Sequence, residues 1–136
     1  MSKRIDVAKS YPLGQSTGDV ETTLKGFAEN ATYYGFRKVE GQLERNLYAD
    51  KNELRNYIGE WLRVASGGIT YEVVEAWEFG DGVFVHWTDS AQGDGETYDN
   101  EGMLVFEFDE DDQIKHARAY QHFGPLETYS FLTSKE

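Results

Sequence analysis

The spacing of apolar residues changes near the middle of the chain, and this change limits the folds that are open to it. Before Gly67 the apolar residues recur every three or four positions, whereas from Ile69 onward they recur at every second position. The first spacing is typical of helices that cover a core, and the second is typical of half-buried strands. Helices followed by strands predict an α+β fold rather than a doubly wound parallel sheet.

The clearest predicted helix begins at Asp50, which forms an acidic version of the capping box with Glu53. Gly67 and Gly68 are expected to end this helix, because glycine adopts the left-handed conformation that closes a last turn. The apolar positions between them follow the helical spacing and are Leu54, Tyr57, Ile58, Trp61, Leu62 and Ala65.

Two weaker helices are predicted before residue 50. One begins at Asp19, a good N-cap residue, and carries Val20, Leu24, Phe27 and Ala28 on one face. The other covers the opening stretch around residues 5–11. It is expected to end or kink at Pro12, because proline removes a backbone donor and crowds the preceding turn.

Four runs of period two predict strands at residues 69–77, 83–87, 103–108 and 114–123. Turn signals at residues 80–82, 93–95 and 109–112 separate these runs, and this spacing favours an antiparallel meander. A shorter strand at residues 32–36 is expected to add an edge to the same sheet. No internal repeat or linker interrupts the pattern, so residues 1–136 are predicted to form one domain.

The composition excludes several classes of function. The chain has 136 residues and a formal net charge of −12, which is unfavourable for binding nucleic acid. It contains no cysteine, so disulfides, thiolate metal sites and thiol nucleophiles are excluded. No apolar run is long enough for a membrane span or a signal peptide, so we expect a soluble, cytoplasmic protein.

His86 is the most attractive acid-base residue in the sequence. Strand alternation places Phe84, His86, Thr88 and Ser90 on one face. An imidazole in a pocket is well suited to accept and donate protons at physiological pH. A structural histidine, hydrogen-bonded to a neighbouring strand or lying at a dimer contact, is the competing interpretation.

The last predicted strand carries polar and small residues alternately. Its polar positions are His116, Arg118, Tyr120 and His122, and its small or amide positions are Ala117, Ala119 and Gln121. The histidines at its two ends lie roughly 20 Å apart along a strand, so they cannot bind one metal ion. We therefore expect no metal, although a site formed by His86 with Asp99 or Glu101 is the alternative.

Several segments resemble a known family in chain order. They are Gly18-Asp19, residues 27–33, the capped helix at Asp50, residues 83–87, and residues 105–108 followed by Ile114. Over roughly residues 5 to 125 the chain resembles the SnoaL-like proteins of the nuclear transport factor 2-like superfamily. Ketosteroid isomerase, limonene epoxide hydrolase, scytalone dehydratase and polyketide cyclases share this fold.

The resemblance implies a cone formed by a strongly bent mixed or antiparallel sheet, closed by about three N-terminal helices around an interior pocket. The positions at which named relatives carry a base, a water-holding amide or acidic groups hold Gly35, Leu104 and Ala119 in this chain. The positions of two hydroxyl donors hold Tyr11 and Tyr33. The resemblance also places Ala117, Ala119 and Gln121 inside, unless a bulge reverses that strand, and implies a homodimer through the outer sheet face.

These inferences together predict the site. His86, Tyr11 and Tyr33 are the expected catalytic residues. The expected substrate-binding residues are Tyr57, Trp61, Phe84, Thr88, Asn100, Leu104, Phe106 and Ala119. No cofactor is expected.

The leading functional hypothesis is an acid-base enzyme without a cofactor. An isomerase, a cyclase or a dehydrating lyase acting on an apolar, ring-containing metabolite would suit the resemblance and an aromatic site. The alternative is a non-catalytic ligand-binding or dimerisation module of the same fold, because the relatives' carboxylates are missing at the aligned positions.

Overall fold

The computed structural model describes residues 3–40, 42–64, 68–93 and 96–122. The elements in chain order are α1 (Lys3–Ser16), α2 (Val20–Leu24), β1 (Phe27–Val39), β2 (Gln42–Tyr48), α3 (Lys51–Val64), β3 (Ile69–Phe79), β4 (Gly82–Gly93), β5 (Glu96–Phe108) and β6 (Ile114–His122). The fold is therefore α+β, as the sequence predicts, with α3 following the first two strands. The predicted positions Ala65, Gly67, Asp94, Gly95 and Phe123 lie outside the described residues.

The six strands form one mixed sheet in the order β2-β1-β6-β5-β4-β3. Strands β3 to β6 are a continuous antiparallel meander, which confirms the interpretation of the period-two runs. The pairing of β1 with β6 is parallel, and the other pairings are antiparallel. The expectation of a short edge strand is wrong, because β1 has 13 residues and lies between β2 and β6. Strand β2 was not predicted.

Both N-cap predictions are confirmed. The Asp19 carboxylate accepts a hydrogen bond from the Thr22 backbone N–H at 3.2 Å. The Asp50 carboxylate accepts one from the Glu53 N–H at 2.9 Å, and the Glu53 side chain accepts one from the Ala49 N–H at 3.3 Å. These side chains satisfy backbone donors that the first turn of a helix leaves unpaired.

Two helix ends differ from the prediction. Helix α1 continues through Pro12, which is buried, because α1 packs along α2 and β3 and this packing offsets the lost hydrogen bond. Helix α2 ends at Leu24, and Phe27 begins β1 instead of extending the helix. The Gly26 carbonyl accepts a hydrogen bond from the Ile114 N–H at 2.8 Å, so the chain joins the sheet at this point.

The helices cover one face of the sheet, and the core lies between them. Its fully buried side chains include Leu24, Phe27, Leu54, Ile58, Phe106 and Ile114. Among the described residues, every helix is too short or too polar to span a bilayer. The cytoplasmic location stays a prediction.

Candidate functional site

The strand register assigns each side chain of the meander to one of two faces. Residues directly opposite each other in an antiparallel pair share a face. Val85 lies opposite Leu104, and Leu104 lies opposite Ala119; all three are buried beneath the helices. We call this the inner face. His86 lies opposite Met103, and Met103 lies opposite Tyr120, which is exposed; we call this the outer face.

The placement of His86 on the pocket face is wrong. Its Nε2 lies 2.7 Å from a Glu101 carboxylate oxygen, and this pair lies on the outer face. His86 lines a shallow groove of about 510 Å³ there with Arg45, Met103 and Tyr120. Alternation allowed either face of β4 to be inner, and the face with Val83, Val85 and Trp87 buries more apolar surface.

The same correction applies to Phe84 and Thr88, which are outer-face residues. The Phe84 ring stacks on Trp77 at a centroid distance of 5.7 Å. Thr88 lies opposite Glu101 across β4 and β5. Sequence alternation correctly groups Phe84, His86 and Thr88 together, and the error lies only in which way the group faces.

The orientation of β6 agrees with the prediction that its small residues face inward. Ala117 and Ala119 are buried on the inner face, whereas Arg118 and Tyr120 are on the outer face. A bulge does occur after Gln113, since Phe108 pairs with Ile114 and Glu107 pairs with His116. It brings Ile114 and Ala117 to the same face and does not reverse the rest of the strand. The side chains of Gln121 and His122 lie outside the described residues.

Four buried or half-buried tyrosines meet on the inner face. Tyr11 of α1 and Tyr33 of β1 are each 3% exposed, with ring centroids 5.8 Å apart. Tyr33 also contacts Tyr48 and Tyr57, and the rings of those two residues lie 4.6 Å apart. A Cβ atom at Gly35 would lie 2.3 Å from the Tyr33 ring, so this ring fills the space of any side chain there.

Burial keeps these hydroxyls protonated. It raises the pKa of Tyr33 and of Tyr48 to about 12. It also raises the pKa of Tyr11 and of Tyr57 well above the ordinary value. A phenol with such a pKa donates hydrogen bonds at neutral pH and does not act as a base. The predicted residues Tyr11, Tyr33 and Tyr57 are therefore hydrogen-bond donors on the helix-covered side of the sheet.

The inner face also holds a carboxyl group that the sequence analysis missed. Asp89 of β4 is 5% exposed, and its Oδ1 accepts a hydrogen bond from the Asn100 amide at 3.0 Å. Tyr71 lies directly opposite Asp89 on β3, with its hydroxyl donating to Gln15. Burial raises the pKa of the Asp89 carboxyl to about 6, and the neighbouring Asn100 amide and Tyr71 hydroxyl partly offset this effect.

Three buried polar atoms near Asp89 have no hydrogen-bond partner among the described residues. They are Asp89 Oδ2, Asn100 Oδ1 and Trp87 Nε1. Leaving such a group unpaired in a protein interior costs about 1–3 kcal/mol, so each requires a reason. One donor and two acceptors grouped on adjacent strands can bind a polar group of a ligand.

The Trp87 indole lies across β5 at a glycine. A Cβ atom at Gly102 would lie 2.6 Å from Trp87 Cζ2 and 2.6 Å from the Tyr120 carbonyl oxygen. Gly102 therefore leaves the space that the indole occupies on the inner face. The Trp87 ring also makes an edge contact with Tyr71 at 5.2 Å.

Trp61 and the remaining predicted wall residues lie on the covered side of the sheet. The Trp61 indole N–H donates to Gln15 Oε1 at 3.0 Å, and the Tyr71 hydroxyl donates to the same oxygen at 3.2 Å. Leu104, Phe106 and Ala119 are at most 2% exposed and belong to the core.

Asp89 could have been found in the sequence. Val83, Val85 and Trp87 alternate as an apolar face, and Asp89 continues the same alternation before Ala91. A carboxylate in an otherwise apolar face of a strand is an unusual signal. Gln15 has no comparable signal, because its partners come from α3 and β3.

Among residues 3–40, 42–64, 68–93 and 96–122, no three His, Cys, Asp or Glu side chains are grouped as a metal site would require. His86 and Glu101 are adjacent, but two side chains do not complete a tetrahedral site.

Solved structures share this architecture at low sequence identity. TerC, co-crystallised with polyporic acid, has 17% identity and a TM-score of 0.75, with 96% of this chain and 98% of that chain covered. An NTF2-like protein from Anabaena variabilis has 18% identity and a TM-score of 0.73, with coverages of 88% and 86%. SalBIII, described as epoxide hydrolase/cyclase-like and linked to pyran ring formation in salinomycin, has 18% identity and a TM-score of 0.69, with coverages of 88% and 91%.

At these identities the likeness establishes the fold alone. No curated protein matches the chain in sequence. The family model of the SnoaL-like domain, in contrast, matches residues 8–117, which include most of α1, all of α2, β1 and β2, and Asp89. The chain therefore belongs to the SnoaL-like domain family, within the nuclear transport factor 2-like fold.

Proposed function

We propose that the protein is a cofactor-independent acid-base enzyme, an isomerase, cyclase or dehydrating lyase, in which Asp89 transfers the proton. The observation that carries this proposal is the Asp89 carboxyl itself. It is buried on the inner face, and its Oδ2 has no partner among the described residues. A carboxylate oxygen in that position accepts a proton from a bound molecule without first losing a protein hydrogen bond.

The environment of Asp89 suits both directions of proton transfer. A pKa of about 6 lies close to physiological pH, so the ionised and protonated forms are both populated. The ionised form accepts a proton from a carbon or a hydroxyl, and the protonated form returns it at a second atom. Asn100 fixes the carboxyl by its 3.0 Å bond to Oδ1 and thereby directs Oδ2.

The phenol hydroxyls supply the complementary function. Removing a proton next to a carbonyl places negative charge on oxygen, and preorganised donors in a dry site stabilise that charge. Tyr11 and Tyr33 are buried donors, Tyr57 is a half-buried one, and Trp87 Nε1 is a further donor without a partner among the described residues. Their combination with one carboxyl supports acid-base chemistry rather than nucleophilic catalysis.

The lining favours a ligand that is apolar and ring-containing. The rings of Tyr33, Tyr48 and Tyr57 contact one another, and Trp87 contacts Tyr71, so flat side chains share the inner face with the unpaired polar atoms. Such rings stack on other rings. Two structural neighbours are described with ring compounds, polyporic acid for TerC and a pyran ring for SalBIII, and this supports the same ligand class here.

A carbon-acid probe tests the assignment without knowledge of the natural substrate. In 5-nitrobenzisoxazole a base removes the ring C–H proton, the C–H electron pair completes the C≡N bond of a nitrile, and the N–O bond breaks to give the coloured phenolate oxygen of the same product. We expect the protein to accelerate this reaction, with a rate that rises with pH through about 6 as Asp89 ionises. Asp89→Asn should lower the rate about a hundredfold.

The matched control is Asp111→Asn, which changes an exposed carboxylate in the turn between β5 and β6. This variant should keep the wild-type rate. Equal rates for the wild type and Asp89→Asn would remove Asp89 from proton transfer. In that case the non-catalytic ligand-binding alternative would be favoured.

We further propose that the chain forms a homodimer through the outer face. Phe79 is 75% exposed and Tyr120 is 49% exposed, and Trp77 and Tyr34 are partly exposed on the same side of the sheet. Aromatic residues and arginine are enriched at protein interfaces, and Arg45 lies over the Tyr34 ring at 4.2 Å. This interface is compatible with the enzyme proposal, because the two use opposite faces.

A further inference from the structure

Three elements meet at the Gln15 side chain. Gln15 belongs to α1 and is 3% exposed. Its Oε1 accepts hydrogen bonds from the Trp61 indole of α3 at 3.0 Å and from the Tyr71 hydroxyl of β3 at 3.2 Å. One amide oxygen therefore links α1 and α3 to β3, the strand that pairs with the strand of Asp89.

The indole determines how the amide is oriented. An indole N–H donates and never accepts, so Trp61 requires the oxygen of Gln15 and not its nitrogen on that side. Since Tyr71 reaches the same oxygen, it must act as the donor. The orientation of Gln15 thus follows from the chemistry of its neighbours.

Tyr71 has a second acceptor for its single proton. Tyr71 lies directly opposite Asp89 in the β3–β4 ladder, so the Asp89 carboxyl is a second acceptor beside the hydroxyl that Gln15 binds. When Asp89 is ionised, the carboxylate is the stronger acceptor and attracts this proton. When Asp89 is protonated, the acid O–H donates to the Tyr71 oxygen, and the Tyr71 proton points to Gln15. The hydrogen bond from Tyr71 to the Gln15 oxygen is therefore favoured when Asp89 is protonated.

We propose that Gln15 and Trp61 are positioning residues, which hold an acceptor that competes with Asp89 for the Tyr71 proton and so favour the proton-donating form of Asp89. The inference rests on the proposed function, since it concerns the carboxyl assigned to proton transfer. Through Trp61, the packing of α3 on the sheet is coupled to the protonation of Asp89. Neither residue needs to touch the substrate.

The other groups that face this network do not share the Tyr71 proton. From β5, Asn100 donates to Asp89, and the nearby charge of Asp99 disfavours its ionisation. The phenols of Tyr33 and Tyr57 lie near Tyr71 from β1 and α3, and both are neutral at the pH values concerned. These residues influence the Asp89 carboxyl but do not compete for the Tyr71 proton.

The test is a carboxyl-carbon NMR titration of Asp89 in the full chain without ligand. Gln15→Leu removes the competing acceptor, and Trp61→Phe frees the amide to turn its nitrogen toward Tyr71. Both should lower the pKa of Asp89, on the order of one unit. Tyr71→Phe removes the donor to the carboxylate and should raise this pKa. Tyr57→Phe, which removes another buried phenol, is the control and should leave it unchanged.

The opposite signs of the expected changes in the Asp89 pKa separate a positioning role from a merely structural one. A general loosening of the site would admit water and lower the pKa of Asp89 in all three variants. That result, or an unchanged pKa in both Gln15→Leu and Trp61→Phe, would overturn the inference. Circular dichroism confirms folding, and if one of those variants does not fold, the other decides.

The failure of this inference and the failure of the proposed function can be distinguished. If the benzisoxazole reaction does not depend on Asp89 while the pKa changes have the expected signs, the hydrogen-bond relay exists and the enzyme proposal fails. If the reaction depends on Asp89 and the pKa does not respond to Gln15 or Trp61, the enzyme proposal stands without the relay.

Discussion

Strand β4 carries two ionisable side chains three positions apart, and they lie on opposite faces of the sheet. His86 pairs with Glu101 on the outer face, where 30% of its side chain is exposed. Asp89 is 5% exposed on the inner face, and burial raises its pKa to about 6. Residue type alone favours the histidine as the acid-base group. Burial gives the aspartate the tuned environment, so the face of the strand matters more than the identity of the side chain.

The two faces also differ in how polar groups are satisfied. On the outer face, the His86 and Glu101 side chains pair with each other within reach of solvent. On the inner face, Asp89 and Asn100 pair with each other, yet each keeps one buried oxygen without a partner in the described part of the chain. An arrangement that leaves buried polar atoms unpaired is a stability cost, and such costs are characteristic of functional sites.

The largest expected effect is the pH-dependent stabilisation produced by Asp89→Asn. The folded-state pKa of Asp89 is raised from its ordinary 3.8 to about 6, so the stability associated with its protonated form is fully present below pH 3.8 and is lost as pH rises through about 6. At pH 8 the variant should gain on the order of 3 kcal/mol in free energy of unfolding. Urea unfolding at pH 4 and pH 8 measures this. A gain of equal size at both pH values would contradict the burial of the charge.

Gly102→Ala should disturb the inner face by the next largest amount. Its Cβ would meet the Trp87 indole and the Tyr120 carbonyl, each at 2.6 Å. Overpacking of this kind costs about 2 kcal/mol. Thermal unfolding measures the loss, and the control is Gly59→Ala in α3, where nothing lies within 4 Å of a new Cβ. The control should stabilise the protein by about 0.5–1 kcal/mol through helix propensity.

Tyr120→Glu tests the outer face. If this face forms the homodimer, the added charge should raise the dissociation constant at least about tenfold, because it must be desolvated in the interface. Light scattering at tens of micromolar, in which micromolar association is visible, follows the change. Asn56→Glu on the exposed surface of α3 is the charge-matched control and should remain dimeric. A monomeric wild type would remove the dimer proposal.

The smallest expected effect is that of His86→Ala. The His86 and Glu101 side chains are 30% and 57% exposed, and solvent screens such pairs, so the loss in stability should be at most about 1 kcal/mol. The rate with 5-nitrobenzisoxazole should stay unchanged. Glu101→Gln should give the same small loss in unfolding experiments. Loss of the rate in His86→Ala, with folding intact, would restore His86 as the acid-base residue and reverse the comparison between the faces.

The sequence predicted the positions of helices and strands well where a single short-range interaction determines them. Asp50 and Glu53 gave the start of α3, and the turn at Gly80 gave the β3–β4 hairpin, where this residue has a φ of 61°. The prediction failed where residues distant in the sequence determine whether a segment is a helix or a strand. Phe27 fits a helical face as well as a strand, and the hydrogen bond between Gly26 and Ile114 selects the strand.

The candidate site divides in the same way. Tyr11, Tyr33, Tyr57, Trp61 and Asn100 were identified from the sequence as polar or aromatic residues on the covered side of the sheet, and the structure places them there. Their roles in binding or catalysis stay predictions. Alternation is symmetric with respect to the two faces, so it grouped His86 with Phe84 and Thr88 without establishing where that group points.

By itself, the sequence determined the fold class, the meander and the family, because capping residues, turns and hydrophobic periodicity act over a few positions. Only the tertiary structure decided which face of β4 lies under the helices, because that choice depends on the register of β4 against β5. It also decided the chemistry of Asp89, since the pKa of a carboxyl depends on its burial and on neighbours that other strands supply, here Tyr71 of β3 and Asn100 of β5.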